Sequence, residues 1–180
     1  FDLISKDFKK LSFSNSFELI TNKNRSNLSL EIDKKLDEEE YEIAVDNKIV
    51  IKGGSLSAIK MARSTLLQLS ENEKGRIIFP IINLRDSSDA AYRGLLIDLA
   101  RKWHKVETIY KLIDLASFYK LNYLQFHLTD DQLFTFPSEN FPKLQTKDKH
   151  YTKEELLSFV DYAYQRGVVI VPEIDVPGHS

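Results

Sequence analysis

The sequence predicts a mixed α/β chain in two parts: a small α+β layer, then a βαβαβ run of parallel strands with helical crossovers. Three observations carry that reading. Up to about residue 88, short apolar runs alternate with polar residues at period two and are separated by turn residues. Beyond residue 90, short apolar runs alternate instead with stretches of helical period. Between them the composition shifts, from Glu71-Asn-Glu-Lys-Gly75 through the apolar run Ile77 to Ile82, broken by Pro80, to Arg85-Asp-Ser-Ser-Asp89. The domain boundary is accordingly placed near residue 88, giving domains 1–88 and 89–180.

In the first part, Leu28, Leu30 and Ile32 alternate with polar residues, as do Tyr41, Ile43 and Val45. Asp46-Asn47-Lys48 supplies a turn before Ile49, Val50 and Ile51, so 41–52 reads as a hairpin closed by Gly53-Gly54. The acidic run Asp37 to Glu40 separates it from the first strand as a solvated loop. From Ser57, helical spacing sets Ile59, Ala62, Leu66 and Leu69 on one side. No catalytic constellation appears in this half. Asn24-Arg-Ser26 and Asn27-Leu-Ser29 match the glycosylation pattern inside an Asn- and Ser-rich stretch.

In the second part, Tyr92 to Ile97 reads as a strand, and 105–120 as a helix with Ile109, Leu112, Ile113, Ala116 and Tyr119 on one face. Asn122 to Leu128 is the next strand, followed by an aromatic, proline-containing loop from Gln132 to His150. Thr152-Lys-Glu-Glu155 forms a capping box. The helix it opens turns Leu156, Phe159, Val160 and Ala163 inward and stops at Gly167. Val168 to Val171 is an apolar strand suited to burial on both faces.

Composition excludes several function classes. Among 180 residues, 25 Lys and Arg face 27 Asp and Glu, a net charge of −2 that argues against a general nucleic-acid or anionic-membrane binder. Without cysteine there is no disulfide framework and no thiolate metal or nucleophile site. No apolar run reaches the roughly 20 residues that span a bilayer. Gly-rich phosphate loops are absent too, which disfavours a nucleotide-binding fold. The chain starts at Phe1 without Met or leader and ends among functional side chains, so it reads as a piece of something longer.

In parallel α/β folds, ligands bind beyond the carboxyl ends of the strands. Here the first strand leads into Asp98, Arg101 and His104, the second into Asp130 and Asp131, and the third into Glu173, Asp175 and His179. Three such clusters at equivalent ends point to one shared site. Arg101 reads either as a surface partner for Asp98 or as a ligand contact. Asp130-Asp131 reads as a cap for the next segment or as a site pair of which one member faces the pocket. His127 lies inside a strand and is expected to be packed and hydrogen-bonded. His104 and His150 are expected at the surface. Trp103 is either core or a rim aromatic, and Pro177-Gly178 is a turn that aims His179 over the strand ends. A metal site from Asp130, Asp175 and His179 is conceivable, though no compact ligand motif is present.

Three segments carry a family resemblance: Tyr92-Arg-Gly-Leu-Leu-Ile-Asp-Leu-Ala-Arg-Lys-Trp103, Leu121-Asn-Tyr-Leu-Gln-Phe-His-Leu-Thr-Asp-Asp131 and Pro172-Glu-Ile-Asp-Val-Pro-Gly-His179. In order and spacing they resemble the opening of the catalytic domain of family-20 glycoside hydrolases, the β-N-acetylhexosaminidases. Residues 1–88 resemble, more weakly, the α+β domain that precedes it, chiefly at Ser64-Thr-Leu-Leu-Gln-Leu69. The resemblance implies a (β/α)₈ TIM barrel, present here as its first three strands. It implies an exo-acting enzyme that removes terminal N-acetylhexosamine from glycans by substrate-assisted retention. Arg101 matches the arginine that grips sugar hydroxyls, and Asp130 with His179 matches a pair supporting the acid Glu.

The family's catalytic Asp-Glu pair follows the fourth strand, so it is expected beyond Ser180, and no catalytic residue is assigned in this chain. Glu173 and Asp175 do not match that pair. Ser88-Asp-Ala-Ala91 also departs from the Pro-Arg-Phe common in the family. The resemblance implies neither cofactor nor metal, a glycan as partner, and a periplasmic or extracellular location. A non-catalytic carbohydrate-binding module and a metal-dependent α/β hydrolase are the alternatives. The outer edge of the Val168–Val171 strand predicts self-association, or docking of that edge onto the first domain.

Overall fold

The computed structural model describes residues 27–74 and 76–179. The chain divides after Ala91 into two compact units. The acceptor at Asn24 lies outside the described residues, whereas Asn27 is exposed just ahead of the first strand.

The first unit contains β1 (Leu28–Ile32), β2 (Tyr41–Val45), β3 (Ile49–Gly53), α1 (Leu56–Leu69), β4 (Glu71–Glu73), β5 (Arg76–Ile78) and β6 (Ile82–Asp86). Its four-stranded sheet has the order β1-β3-β2-β6, and β4 pairs with β5 separately. The hairpin forms as expected, with Val45 opposite Ile49 across the Asp46–Lys48 turn. Gly54 is required there, because a β-carbon would lie 1.9 Å from the Asp37 carbonyl oxygen. The Ser55 hydroxyl caps α1 by accepting the Ala58 N–H at 3.1 Å. The helix buries Ala58, Ala62 and Leu66 against Tyr41, Ile43 and Ile51. Leu69, expected inward, is only half-buried, while Met61 and Leu67 are buried. β6 falls in the stretch read as a boundary. Its pairing with β2 sets Tyr41 opposite Asp86, and the Tyr41 hydroxyl bonds both Asp86 and Thr65.

The second unit contains β7 (Gly94–Asp98), α2 (Val106–Phe118), β8 (Tyr123–His127), α3 (Lys153–Gln165) and β9 (Val169–Glu173). The three strands are parallel in the order β7-β8-β9, joined by the two helices as the βαβαβ pattern requires. β7 begins two residues later than expected. Tyr92 precedes it and stacks on Tyr123 at 4.6 Å, its ring where a β-carbon of Gly94 would sit. The capping box at Thr152 and Glu155 is present with both of its bonds.

One face of this sheet carries Ile97, Leu124, Phe126 and Ile170 and packs against Ile109, Ile113, Phe159 and Ala163 of the helices. The loop after β8 is tied down at both ends. The Thr135 N–H donates to Leu128, the Tyr151 N–H donates to Thr135, and the buried Tyr151 hydroxyl donates to the His104 carbonyl at 2.6 Å. Burial pushes that phenol above its ordinary range.

Three inward expectations fail. Tyr119 is 64 % exposed because α2 ends at Phe118 and Tyr119 caps it. Val160 is 45 % exposed because it borders an apolar groove of about 550 Å³ with Leu156, Leu157, Ile170 and Pro172. β9 is not buried on both faces: it is an outer strand, and Val169 is half-exposed.

Candidate active site

Parallel pairing decides what the other face of the second sheet presents. Asp98 lies opposite His127, and His127 lies opposite Glu173, so three polar side chains form one row across the strand ends. They alternate with Ile97, Phe126 and Pro172, which point toward the helices. His127 is buried, with Nδ1 2.5 Å from Glu173 Oε1 and Nε2 3.1 Å from Asp130 Oδ2. Gln125, two residues earlier on the same face, donates to the other Glu173 oxygen.

The turn after β7 builds the cationic part. Asp98 Oδ1 accepts the backbone N–H groups of Ala100 (3.1 Å) and Arg101 (2.8 Å), and Oδ2 accepts Arg101 Nη1 at 2.7 Å. Arg101 Nη2 then reaches Asp130 Oδ2 at 2.5 Å. The Asp130 carboxylate is only 3 % exposed, and its Oδ1 accepts the Asp131 N–H at 2.8 Å. Beyond β9, His179 takes a positive φ of 59° after Gly178, bringing Nδ1 to 3.1 Å from both Asp130 Oδ2 and Arg101 Nη2. One buried oxygen thus serves Arg101, His127 and His179. Arg101 and His179 remain 48 % and 55 % exposed, more open than Asp98, Asp130, His127 or Glu173.

The charges are mutually dependent. For Asp130, burial raises the pKa, but His127, the Asp131 N–H and Arg101 outweigh it and hold the group below the ordinary range. Asp98 follows the same pattern, with Arg101 overcoming burial. His127 and Gln125 lower Glu173. In His127 burial opposes the charge, yet Glu173 and Asp130 prevail and the pKa rises above 6.5.

These directions set a pH dependence of stability. The raised His127 contributes fully below its ordinary 6.5, and its contribution is lost as pH climbs through the folded value. The lowered Glu173, Asp98 and Asp130 contribute above their ordinary 4.5 and 3.8, and lose it as pH falls through the folded values. Thermal unfolding is therefore expected to be most resistant between these limits, with an alkaline decline that His127→Gln flattens. Melting curves from about pH 5 to about pH 9 check this, and an unchanged slope in that variant contradicts it.

Both readings of Arg101 hold geometrically: it pairs with Asp98 and keeps half its surface open. Of the two adjacent aspartates, Asp130 faces the cluster and Asp131 is exposed. Trp103 stacks on Tyr151 at 5.9 Å beside the helix-side core. His104 and His150 are half-buried rather than at the surface. His104 accepts Tyr151 through its carbonyl, and His150 Nδ1 holds the Thr146 carbonyl at 2.9 Å. The set Asp130, Asp175 and His179 does not converge for a metal. Among the described residues the converging trio is His127, Glu173 and Asp175, and both nitrogens of that imidazole already face carboxylates. The member that strand-end reasoning set aside is His127, and its bond to Glu173 ties it to the third strand-end cluster.

The sequence profile of the glycosyl hydrolase family 20 catalytic domain matches residues 91–180, half of the chain. The chain belongs to glycosyl hydrolase family 20. Within this family it is 32 % identical over 177 residues to a beta-hexosaminidase of Vibrio furnissii, covering 86 % of this chain and 29 % of that protein. It is 33 % identical to the mouse beta-hexosaminidase subunit beta, over 79 % of this chain and 28 % of that one. Among solved family-20 structures, the exo beta-N-acetylglucosaminidase of Vibrio harveyi in complex with N-acetylglucosamine superposes with a TM-score of 0.88 at 30 % identity. That match covers 99 % of this chain and 31 % of the other. The chitobiase of Flavobacterium johnsoniae gives 0.84 at 32 % identity, with 99 % and 30 % covered. The chain thus spans less than a third of the length of these family-20 relatives.

Proposed function

We propose that this chain is the first part of an exo-acting β-N-acetylhexosaminidase, in which residues 92–179 supply the first three strands and two crossover helices of a (β/α)₈ barrel. The observation that carries the reading is Arg101: a half-exposed guanidinium held by Asp98 and Asp130 at the carboxyl end of a parallel strand. Its remaining N–H donors suit paired sugar hydroxyls, which a planar fork binds better than an ammonium does. In this reading the helix-free face with Asp98, His127 and Glu173 is the barrel interior. Further barrel elements cover the groove beside Val160.

The chemistry is the substrate-assisted form of retention. The 2-acetamido carbonyl oxygen of the sugar attacks the anomeric carbon as the bond to the leaving oxygen breaks. An acid Glu from the part of the protein following Ser180 delivers its proton to that oxygen, and its Asp neighbour orients the acetamido group. Water then opens the oxazolinium ring, giving its proton back to the Glu. Asp130 and His179 support the acid: the buried carboxylate fixes the imidazole, whose outer nitrogen is free to hydrogen-bond the Glu.

The test is release of the aryl group from an aryl N-acetyl-β-glucosaminide by the full-length protein, with the anomeric configuration of the first product read by proton NMR. Turnover with retention, insensitive to chelators, is expected. Inversion, chelator-sensitive turnover, or N-acetylglucosamine binding without turnover each overturns the reading.

A further inference from the structure

We propose that His127, which lies within β8 and contacts no sugar in the reading above, is a positioning residue that holds the Asp130 carboxylate in place for Arg101 and His179. The proposal rests on the hexosaminidase reading and assigns to that site a residue that works only through another.

The geometry supports it in three steps. First, the Asp130 oxygen that meets Arg101 and His179 is the same oxygen that His127 Nε2 holds, so the imidazole sets where that oxygen lies. Second, the imidazole cannot swing, because Nδ1 is pinned by Glu173, and Glu173 is pinned in turn by Gln125 on the same strand as His127. The chain Gln125–Glu173–His127–Asp130 therefore runs from inside the sheet to the exposed donors. Third, both ring nitrogens face carboxylate oxygens, an arrangement satisfied only when both carry hydrogen. A neutral ring would turn a lone pair on one of its two carboxylates.

The surroundings favour that imidazolium from every side. Asp98 flanks it from β7, Glu173 from β9, and Asp130 from the loop after β8. Asp175 lies near Glu173, and the His179 ring stands edge-on at 5.9 Å. Among the described residues Arg101 is the guanidinium at this cluster, and it is already shared between Asp98 and Asp130. A second cation among these carboxylates is what their charge calls for, and the raised affinity of His127 for its proton agrees. When that proton leaves, the Asp130 oxygen loses a donor and its direction relaxes.

The experiment uses the full-length protein and reads kcat and KM separately across pH, alongside thermal stability. His127→Gln keeps a single donor nitrogen, its other end being an acceptor oxygen, so it cannot donate to both carboxylates from opposite sides or carry charge. It is expected to lower kcat by roughly tenfold or more. It should also remove an alkaline limb from the kcat profile that wild type shows above about 6.5. Glu173→Gln preserves shape but removes the counter-ion, so the same limb should move to lower pH. This second variant keeps the question answerable if His127→Gln folds poorly. Wild-type kcat and an unshifted alkaline limb in well-folded variants overturn the proposal while leaving the hexosaminidase reading intact. So does a loss that merely follows the fraction of folded protein. No turnover in wild type removes both.

Discussion

If the proposed hexosaminidase reading holds, replacing Arg101 with alanine is expected to lower kcat/KM of the full-length protein by roughly two orders of magnitude, while the unfolding midpoint moves little. The size follows from the bonds lost: charged hydrogen bonds are worth about 1.5–3 kcal/mol each, and a fork that grips adjacent hydroxyls contributes at least one fully. The small stability change follows from exposure. The Arg101 side chain is 48 % open to solvent, its pair with Asp98 is a surface pair, and His127 and His179 remain on Asp130 without it. Arg101→Lys should recover charge but not the fork, and so only part of the activity. A wild-type kcat/KM in the alanine variant, measured with an aryl N-acetyl-β-glucosaminide, contradicts the assignment. A loss of activity that tracks a loss of folded protein contradicts it equally.

Much of the second unit was legible because two periods alternate along it and mark each strand and helix in turn. What periodicity does not report is which neighbours an element has. Tyr119, Val160 and Val169 all lie on apolar patterns, yet α2 ends before the first, a groove opens beside the second, and the third sits on an outer strand. β6 escaped because Pro80 and the charges at Arg85 and Asp86 resemble a linker, although Ile82 and Leu84 keep the alternation of a strand.

The site divides in the same way. The rule that ligands collect at strand ends points to the clusters that hold Arg101, Asp130 and His179, and the structure brings Arg101 and His179 onto one Asp130 carboxylate oxygen. His127 reads as a packed residue inside its strand, and Glu173, at the end of β9, reads as one strand-end acid among several. Their partnership depends on register between β8 and β9, which separate segments of sequence do not reveal. One signal was nonetheless available. Gln125 and His127 alternate with Leu124 and Phe126, so β8 has a polar face as well as an apolar one, and a polar face in a sheet center needs partners.

The apolar face of the same strand is where the largest loss of stability is expected. Phe159 of α3 is fully buried and meets three rings edge-on: Tyr110 of α2 at 5.4 Å, Tyr151 of the loop at 5.5 Å and Phe126 of β8 at 6.4 Å. It joins both helices, the long loop and the central strand, so no single element can move in to fill the space it leaves. Phe159→Ala is therefore expected to cost about 4 kcal/mol, in the middle of the range for buried phenylalanine. Phe159→Leu, which keeps most of the volume and loses the edge contacts, should cost about 1.5 kcal/mol. Hydrogen exchange of β8 amides under native conditions measures this within the second unit alone. Protection in the alanine variant that falls by less than about 1 kcal/mol would show that the neighbours do collapse onto the site. Because His127 stands on the opposite face of β8, the alanine variant should also loosen the hold on Asp130, linking the packing of one face to the geometry of the other.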